Sequence, residues 1–204
     1  VSKISSLISC RKYILKNKAG SIVAPSQITD QWLKDYKEAR TQNIKLLYVG
    51  RIRKEKGIYS LLEIIKDSNI NFTLSIVGAE KNSTNSIVQD NVYTHEVEND
   101  QKNLIKYYDD HNIFVLPSYT EGHPMALLEA LARQRPVIIF KEIEHVIGDK
   151  KGIFVAERNS DSFFKIIKHI KENYSGIQQE IKKNKLPTKD EFLRRFSELI
   201  SKLD

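Results

Sequence analysis

The sequence predicts an α/β protein, built on one open, Rossmann-like parallel sheet of about six strands with helices on both faces. Between residues 44 and 173, short apolar runs alternate with stretches that have the apolar period of a helix. This alternation is typical of repeated β-α-β units, which form parallel sheets. The apolar runs are also nearly continuous, as expected of strands that are covered on both faces.

The segment before the first of these strands has a different pattern. Residues 3–18 predict a helix with a basic face, and residues 21–24 predict a short strand. Ser26 is placed to cap a second helix. The apolar face of that helix would consist of Ile28, Trp32 and Tyr36.

Residues 37–44 are polar and predict a linker. The segment that precedes it is too short to form a domain. We therefore expect residues 1–43 to be the tail end of a preceding domain with its linker, and residues 44–204 to form the sheet domain. The chain begins with Val-Ser-Lys rather than methionine, which favours a piece of a longer protein.

The sheet domain contains six predicted strands with helices between them. The strands are predicted at residues 44–49, 72–77, 92–97, 113–116, 136–140 and 152–155. The helices follow Gly57, span residues 101–110, begin near Pro124 and span residues 161–173. Thr188 and Glu191 form a capping box that begins the last helix. Polar residues 81–86 predict a loop.

Composition and charge exclude several classes of protein. The single cysteine, Cys10, excludes a disulfide framework and favours a reducing compartment. No apolar run is long enough to span a membrane, and the start has no signal-peptide pattern. We therefore expect a cytoplasmic protein. The five histidines show no metal-ligand spacing, so the sequence predicts no metal site.

The 204 residues carry a net charge of +7, and residues 1–45 hold nine Lys and Arg against three Asp and Glu. This excess is compatible with a phosphorylated ligand, or with peripheral contact to an anionic membrane at the inner face. Aromatic residues do not interleave with the basic ones as in a base-stacking surface, so no nucleic-acid partner is expected.

A basic loop follows the strand at residues 44–49. It begins at Gly50, ends at Gly57 before a helix, and contains Arg51, Arg53, Lys54 and Lys56. In parallel sheets, ligands bind beyond the carboxyl ends of the strands, and the start of a helix favours anions. The loop lacks the residue pattern of a P-loop and of a dinucleotide fingerprint. It therefore predicts either a phosphate-binding loop or an ordinary solvated basic loop.

An acidic turn follows the strand at residues 113–116. Glu121 lies in the turn and Glu129 in the second turn of the next helix, for which Pro124 suits the first helical position. Gly122 permits close approach of a ligand, and the amides of residues 123–126 suit a phosphate or sugar oxygen.

Carboxylates beside a phosphate site are best explained as acceptors for hydroxyl groups, since like charges repel. A ligand that carries both phosphates and hydroxyls is a nucleotide sugar. The alternative is that Glu121 is an ordinary turn residue, and that Glu129 pairs with Arg133 on a solvated helix face.

With both loops in place, the chain resembles the C-terminal, donor-binding domain of retaining GT-B glycosyltransferases of the family 4 type. The resemblance covers residues 44 to about 172. It is carried by residues 47–51 with Lys56 and Gly57, by residues 114–118, by the spacing from Glu121 to Glu129, and by residues 136–138.

The resemblance implies a role for each matching residue. Arg51 and Lys56, with Gly50, would bind the diphosphate and stabilise it as a leaving group. Glu121 would contact the donor sugar or the face from which the acceptor attacks, and Glu129 would accept hydrogen bonds from the ribose. The backbone would contribute the remaining contacts, to phosphate and sugar oxygens at Gly122, His123, Pro124, Met125 and Ala126, and to the nucleobase at Val97.

The resemblance also implies a reaction and its partners. A sugar would move, with retention and without an essential metal, from a nucleotide-sugar donor to a saccharide or lipid-linked acceptor in bacterial surface polysaccharide biosynthesis. The family's N-terminal acceptor domain is missing, so we expect this chain to bind the donor weakly and to transfer nothing alone. The last helix would cross back to that missing domain.

The sequence departs from the family at two places, and two other functions stay open. His95 stands where the family usually has glycine, and residues 140–143 lack the usual Gly-Gly pair. One alternative is a nucleotide-sugar 2-epimerase of the same architecture, with Glu121 and His123 as acid-base groups. The other is a non-enzymatic module that binds polyanions through its basic N-terminal segment.

Overall fold

The computed structural model describes residues 7–9, 20–39, 41–66, 68, 70–79 and 89–201. Of the helix predicted at 3–18, only residues 7–9 are described, and there the prediction is wrong. These residues form strand β1 (Leu7–Ser9), which pairs in parallel with β2 (Gly20–Ile22). The loop predicted at 81–86 lies outside the described residues.

The main sheet confirms the predicted fold class. Within the described residues it has six strands: β3 (Ile44–Val49), β4 (Phe72–Ala79), β5 (Val92–Glu96), β6 (Ile113–Leu116), β7 (Val137–Phe140) and β8 (Ile153–Ala156). All neighbouring strands are parallel. Their order across the sheet is β5-β4-β3-β6-β7-β8.

The helices cover both faces of this sheet. They are α1 (Ile58–Ile65), α2 (Gln101–Asp110), α3 (Met125–Ala132), α4 (Ser160–Glu172), α5 (Tyr174–Ile181) and α6 (Lys189–Ile200). Helix α5 was not predicted from the sequence. The capping box at Thr188 and Glu191 is confirmed at the start of α6.

Side chains of the strands other than the edge strand β5 alternate between two hydrophobic cores. In β3, Leu46 and Tyr48 pack on the side of α1 and α4, whereas Leu47 packs on the side of α2 and α3. In β7, Ile138 faces the first core and Ile139 the second. Burial on both faces explains why the strands read as continuous apolar runs.

The strand order places one edge of the sheet at a topological switch point. The chain runs outward from β3 through β4 to β5, then returns to β6 beside β3 and continues outward on the other side. Leu46 pairs with Ile113 and Leu47 with Phe114. Ligands of open α/β sheets bind in the crevice beyond the carboxyl ends of the strands at such a point. The loops after β3 and β6 therefore form the expected site.

The helix predicted to begin at Ser26 is wrong. A single 3-10 turn at Asp30–Leu33 replaces it, with Thr29 at the N-cap position. The Ser26 hydroxyl oxygen accepts a hydrogen bond from the Ile28 amide at 3.0 Å, as in a local turn.

Two buried arginines bind the carbonyls of the segment that follows this turn. Arg133 donates hydrogen bonds to the carbonyls of Trp32, Lys34 and Asp35, and Arg135 donates to that of Lys37. The backbone there is not helical, since Lys34 is extended and Asp35 has a φ of +52°. No helix formed by the described residues is long and apolar enough to cross a membrane.

Candidate functional site

The loop after β3 is shaped by backbone contacts at the sheet edge. The amide of Gly50 donates to the Val77 carbonyl at 2.9 Å, and the Tyr48 hydroxyl donates to the Arg51 carbonyl at 2.8 Å. The Tyr48 side chain is fully buried, and this burial raises the pKa of its hydroxyl, so the hydroxyl stays a donor. The loop ends at Gly57, as predicted, and α1 begins there.

This loop lies directly against the turn that follows β6. A Cβ atom on Gly57 would come within 1.9 Å of the Pro117 carbonyl oxygen, and Gly57 has a φ of +67°. The Tyr119 amide donates to the Glu55 carbonyl at 3.0 Å. Only glycine fits this position, because both the conformation and the close approach exclude a side chain.

Lys56 and Glu121 join the two loops through their side chains. Nζ of Lys56 lies 2.7 Å from Oε1 of Glu121, which also accepts a hydrogen bond from the Ser118 hydroxyl at 2.7 Å. The Lys56 and Glu121 side chains are 26% and 10% exposed. The basic and acidic loops therefore meet in one place, while the roles assigned to these residues stay predictions.

Glu129 is buried beneath this turn, on the second helical turn of α3. Its Oε2 accepts a hydrogen bond of 2.8 Å from the Tyr108 hydroxyl, which lies on α2. Burial raises the pKa of the Glu129 carboxyl, and the hydrogen bond from Tyr108 opposes this effect. The alternative of a solvated Glu129–Arg133 pair is wrong, since Arg133 is buried and pairs with Asp109 at 2.9 Å.

The start of α3 differs from the prediction at one residue. Pro124 was expected at the first helical position, but it is the N-cap residue, with φ −74° and ψ 107°, and Met125 begins the helix. Its backbone is extended there, as the capping position requires. Met125 and Ala126 are partly exposed, so their amides lie near the surface at the positive end of the helix dipole.

His123 is directed to the N-terminal segment. Its Nε2 lies 2.8 Å from the Pro25 carbonyl oxygen. His145 approaches the turn from another side, with Nε2 at 2.8 Å from the Glu121 carbonyl oxygen. The turn therefore contacts the N-terminal segment through His123 and the segment after β7 through His145.

The remaining predicted site residues are more exposed. Arg51 and Gly122 are exposed on their loops. Val97 follows β5 and is 53% exposed. Since β5 lies two strands from β3, Val97 is not part of the contact that unites the two loops.

Arg158 was not predicted from the sequence, although it binds carbonyls of the turn after β6. Its guanidinium donates to both carboxylate oxygens of Glu142, at 2.7 and 3.0 Å, and to the Pro117 carbonyl at 3.0 Å. The signal that could have found it is its place just beyond β8, at the same sheet edge. No group of three His, Cys, Asp or Glu side chains within the described ranges is arranged to hold a metal ion.

The chain is similar in sequence to bacterial glycosyltransferases. The chain is 30% identical over 133 residues to the capsular polysaccharide biosynthesis glycosyltransferase CapM of Staphylococcus aureus. It is 37% identical over 92 residues to the putative teichuronic acid biosynthesis glycosyltransferase TuaC of Bacillus subtilis. The matches cover 59% and 45% of this chain, but only 34% and 23% of those proteins.

Solved structures share the fold. The sucrose-phosphate synthase of Thermosynechococcus elongatus superposes with a TM-score of 0.73 at 18% identity, over 94% of this chain and 56% of that one. Anabaena HepE, solved in complex with UDP-glucose, gives a TM-score of 0.74 at 13% identity, over 97% of this chain and 64% of that one.

The family model of the glycosyl transferases group 1 matches residues 29–186, which is most of the chain. This match includes both loops of the candidate site and every strand of the main sheet. The sheet order and the structural neighbours are those of GT-B glycosyltransferases. The chain therefore belongs to the glycosyl transferases group 1 family, of GT-B type.

Proposed function

We propose that this chain is the donor-binding part of a retaining glycosyltransferase, and that its donor is a nucleoside-diphosphate sugar. The observation that carries the proposal is the contact between Lys56 and Glu121 at the switch point of the sheet. It brings a cation that suits phosphate and a carboxylate that suits sugar hydroxyls to the same place. Their proximity matches a ligand with both kinds of group.

The proposed mechanism is electrostatic. Arg51 and Lys56 neutralise the diphosphate, and their positive charge stabilises the additional negative charge that develops as the sugar–phosphate bond breaks. The amides of Met125 and Ala126 add the positive end of the α3 dipole. Because these groups supply positive charge from the protein, we propose that no metal ion is essential.

The two carboxylates orient the donor. Glu129 has one oxygen on the Tyr108 hydroxyl, and its other oxygen makes no hydrogen bond to the described residues, so it can accept one from a ribose hydroxyl. Glu121 lies at the other end of the turn, where it would contact the donor sugar. Lys56 would then be shared between Glu121 and the diphosphate.

The comparisons support a role in polysaccharide biosynthesis. CapM and TuaC carry names from capsular polysaccharide and teichuronic acid biosynthesis, and the HepE structure contains UDP-glucose. We propose that the acceptor is a growing saccharide or its lipid-linked form, on the cytoplasmic side of the membrane. Contact with an anionic membrane surface is compatible with the charge of +7.

Of the two alternatives, the 2-epimerase gains no support from His123. This residue was a candidate acid-base group, but its Nε2 lies at the Pro25 carbonyl, in the N-terminal segment. The polyanion-binding alternative needs neither Glu121 nor Glu129, so it predicts that substitution of these residues leaves binding unchanged. A binding experiment with variants of the site can separate it from the donor site.

Binding of nucleoside diphosphates tests the proposal. UDP, GDP and ADP are added to the purified chain, and thermal unfolding is followed. A ligand that binds the folded state stabilises it by about 0.4 kcal/mol at a concentration equal to Kd, and by about 2.7 kcal/mol at a hundred times Kd. At least one diphosphate should raise the melting temperature, and the matching monophosphate should raise it less.

Two double variants make the test specific. Arg51→Ala with Lys56→Ala should abolish the stabilisation. Lys165→Ala with Lys171→Ala removes the same charge from exposed positions of α4 and should leave it intact. If both double variants lose it equally, binding follows net charge, and the polyanion-binding function is favoured. If no diphosphate stabilises the parent chain, the donor-site proposal is wrong.

A further inference from the structure

A group of contacts outside the predicted site residues surrounds Arg158, next to the turn after β6. Nε and Nη2 of Arg158 donate to the two carboxylate oxygens of Glu142, at 2.7 and 3.0 Å. The guanidinium carbon lies 4.0 Å from the ring centre of Tyr119 and 4.4 Å from that of Phe140. Its side chain is only 15% exposed, so the group is fixed on all these sides.

Two further guanidinium hydrogens point at the turn, and Nη1 also approaches the Ser60 hydroxyl of α1 at 3.5 Å. Nη1 donates to the Pro117 carbonyl at 3.0 Å, and Nη2 approaches the Ser118 carbonyl at 3.4 Å. The Pro117 carbonyl is also the one that meets the Cα of Gly57, where a Cβ would come within 1.9 Å. Arg158 therefore holds the point at which the loop after β3 touches the turn after β6.

We propose that Arg158 is a positioning residue for the donor site, which holds the turn so that Glu121 stays in reach of Lys56. This inference rests on the proposed function for its effect on ligand binding. Glu142, in the 3-10 turn that follows β7, orients the guanidinium. The ring of Tyr119 covers it on the solvent side.

The chemistry of the group explains why arginine suits this position. A guanidinium is planar, so it can bind a carboxylate with two hydrogen bonds, donate to two carbonyls and stack on rings at the same time. A lysine ammonium would keep the charge but could not make this set of contacts. The pKa of the Glu142 carboxyl is lowered, first of all by its hydrogen bond from Arg158, so the pair is ionised at neutral pH.

Hydrogen exchange in the absence of ligand tests the positioning directly. The Tyr119 amide donates to the Glu55 carbonyl and so reports on the contact between the two loops. In Arg158→Lys this amide should exchange about tenfold faster, because local opening becomes easier when charged hydrogen bonds are lost. The Phe114 amide, which donates to the Pro136 carbonyl within the sheet, should keep its rate.

Ligand affinity is the second readout. The tightest of UDP, GDP and ADP should bind Arg158→Lys about five to fifty times more weakly, as expected when loss of charged hydrogen bonds disorders a binding loop. Arg194→Lys is the matched control, because Arg194 forms an exposed pair with Glu198 on α6. It should change neither the affinity nor the exchange of Tyr119.

The two readouts separate this inference from the proposed function. If the parent chain binds no diphosphate, the proposed function is wrong, and the exchange of Tyr119 alone decides whether Arg158 positions the turn. If Tyr119 keeps its exchange rate in Arg158→Lys, the positioning role is wrong. Equal acceleration at Tyr119 and Phe114 would show a general loss of stability, which also overturns it.

Discussion

Lys56 and Glu121, which lie 65 positions apart in the sequence, form an ion pair of 2.7 Å at the switch point of the sheet. Each neutralises the other in the ligand-free protein. The Ser118 hydroxyl holds the same carboxylate oxygen, so Glu121 has a fixed orientation before any ligand arrives. A diphosphate would compete for Lys56 rather than meet a free cation.

Lys56→Met should destabilise the chain by about 1–2 kcal/mol. The Glu121 carboxylate would remain mostly buried, and among the described residues only the Ser118 hydroxyl would bind it, so its negative charge would be unfavourable in the folded state. Urea unfolding of the parent, of Lys56→Met, of Glu121→Gln and of the double variant gives the coupling between the two side chains. We expect the double variant to be more stable than the two single effects would predict; strictly additive effects would show that the pair does not matter.

Asp109→Asn should lower the free energy of unfolding by about 2–4 kcal/mol, because it leaves buried arginines without their anionic partner. Both oxygens of Asp109 accept from Arg133 at 2.9 Å, and Arg135 approaches at 3.8 Å. Burial lowers the pKa of Arg135, which shows how unfavourable its environment is for an unpaired charge.

The adjacent residue supplies the control for this prediction. Asp110 forms an exposed pair with Lys37, and exposed pairs contribute little, so Asp110→Asn should change the stability by less than about 0.5 kcal/mol. Both variants are measured by urea unfolding at neutral pH. Similar losses for Asp109→Asn and Asp110→Asn would contradict the assignment of Asp109 as the buried partner.

Glu129→Gln should gain stability relative to the parent as the pH rises above the usual carboxyl pKa of 4.5. The folded-state pKa of Glu129 is raised, so the folded chain binds more protons than the unfolded chain just above that pH. The parent therefore loses stability as the pH rises through this window. Glutamine does not titrate and can still accept the hydrogen bond from Tyr108.

Unfolding in urea at pH 4.5 and at pH 7 measures this difference. Glu63→Gln, on the exposed side of α1, is the control and should show no comparable trend. Glu129→Gln should also weaken nucleoside diphosphate binding, since an amide is a poorer acceptor for ribose hydroxyls than a carboxylate. A variant that gains no stability at pH 7 and binds the nucleotide normally would refute both expectations.

Gly57→Ala should separate the two loops. The added Cβ would collide with the Pro117 carbonyl, and the φ of +67° is strained for alanine. We therefore expect the free energy of unfolding to fall by about 1–3 kcal/mol and diphosphate binding to be lost. Gly176→Ala is the control, because no atom lies within 4 Å of its added Cβ on α5. That variant should be more stable by about 0.5–1 kcal/mol, because alanine loses less conformational entropy on folding than glycine. A Gly57→Ala chain with unchanged melting temperature and binding would rule out the close contact.

The sheet could be predicted because each strand and helix is indicated by the pattern of the residues within it. Continuous apolar runs such as residues 44–49 and 113–116 mark strands buried on both faces, and their alternation with helical patterns indicates a parallel order. The helix predicted to begin at Ser26 does not form, and the segment is instead bound by Arg133 and Arg135. These side chains lie about a hundred residues further along the chain, and no local pattern reveals that they bind the carbonyls of that segment.

Part of the candidate site could be predicted from the fold class. Lys56 and Glu121 follow strands that the fold class places at one sheet edge, so their meeting could be expected. The contact between Glu129 and Tyr108 depends on how α2 packs against α3, which the spacing of residues does not show. The contacts of Arg158 depend on the positions of β6, β7 and β8 relative to one another, and these are fixed only in the folded chain.

Two hydrogen bonds join the segment before the sheet domain, at residues 26–28, to the segment at residues 187–189 that leads into α6. The Ser26 hydroxyl donates to the Pro187 carbonyl at 2.6 Å, and the Lys189 amide donates to the Ile28 carbonyl at 2.8 Å. Helix α6 begins at this junction and has no buried residue among those described. The two hydrogen bonds therefore connect the start of α6 to the segment that enters the sheet domain, and a variant that removes the Ser26 hydroxyl would weaken the attachment of both.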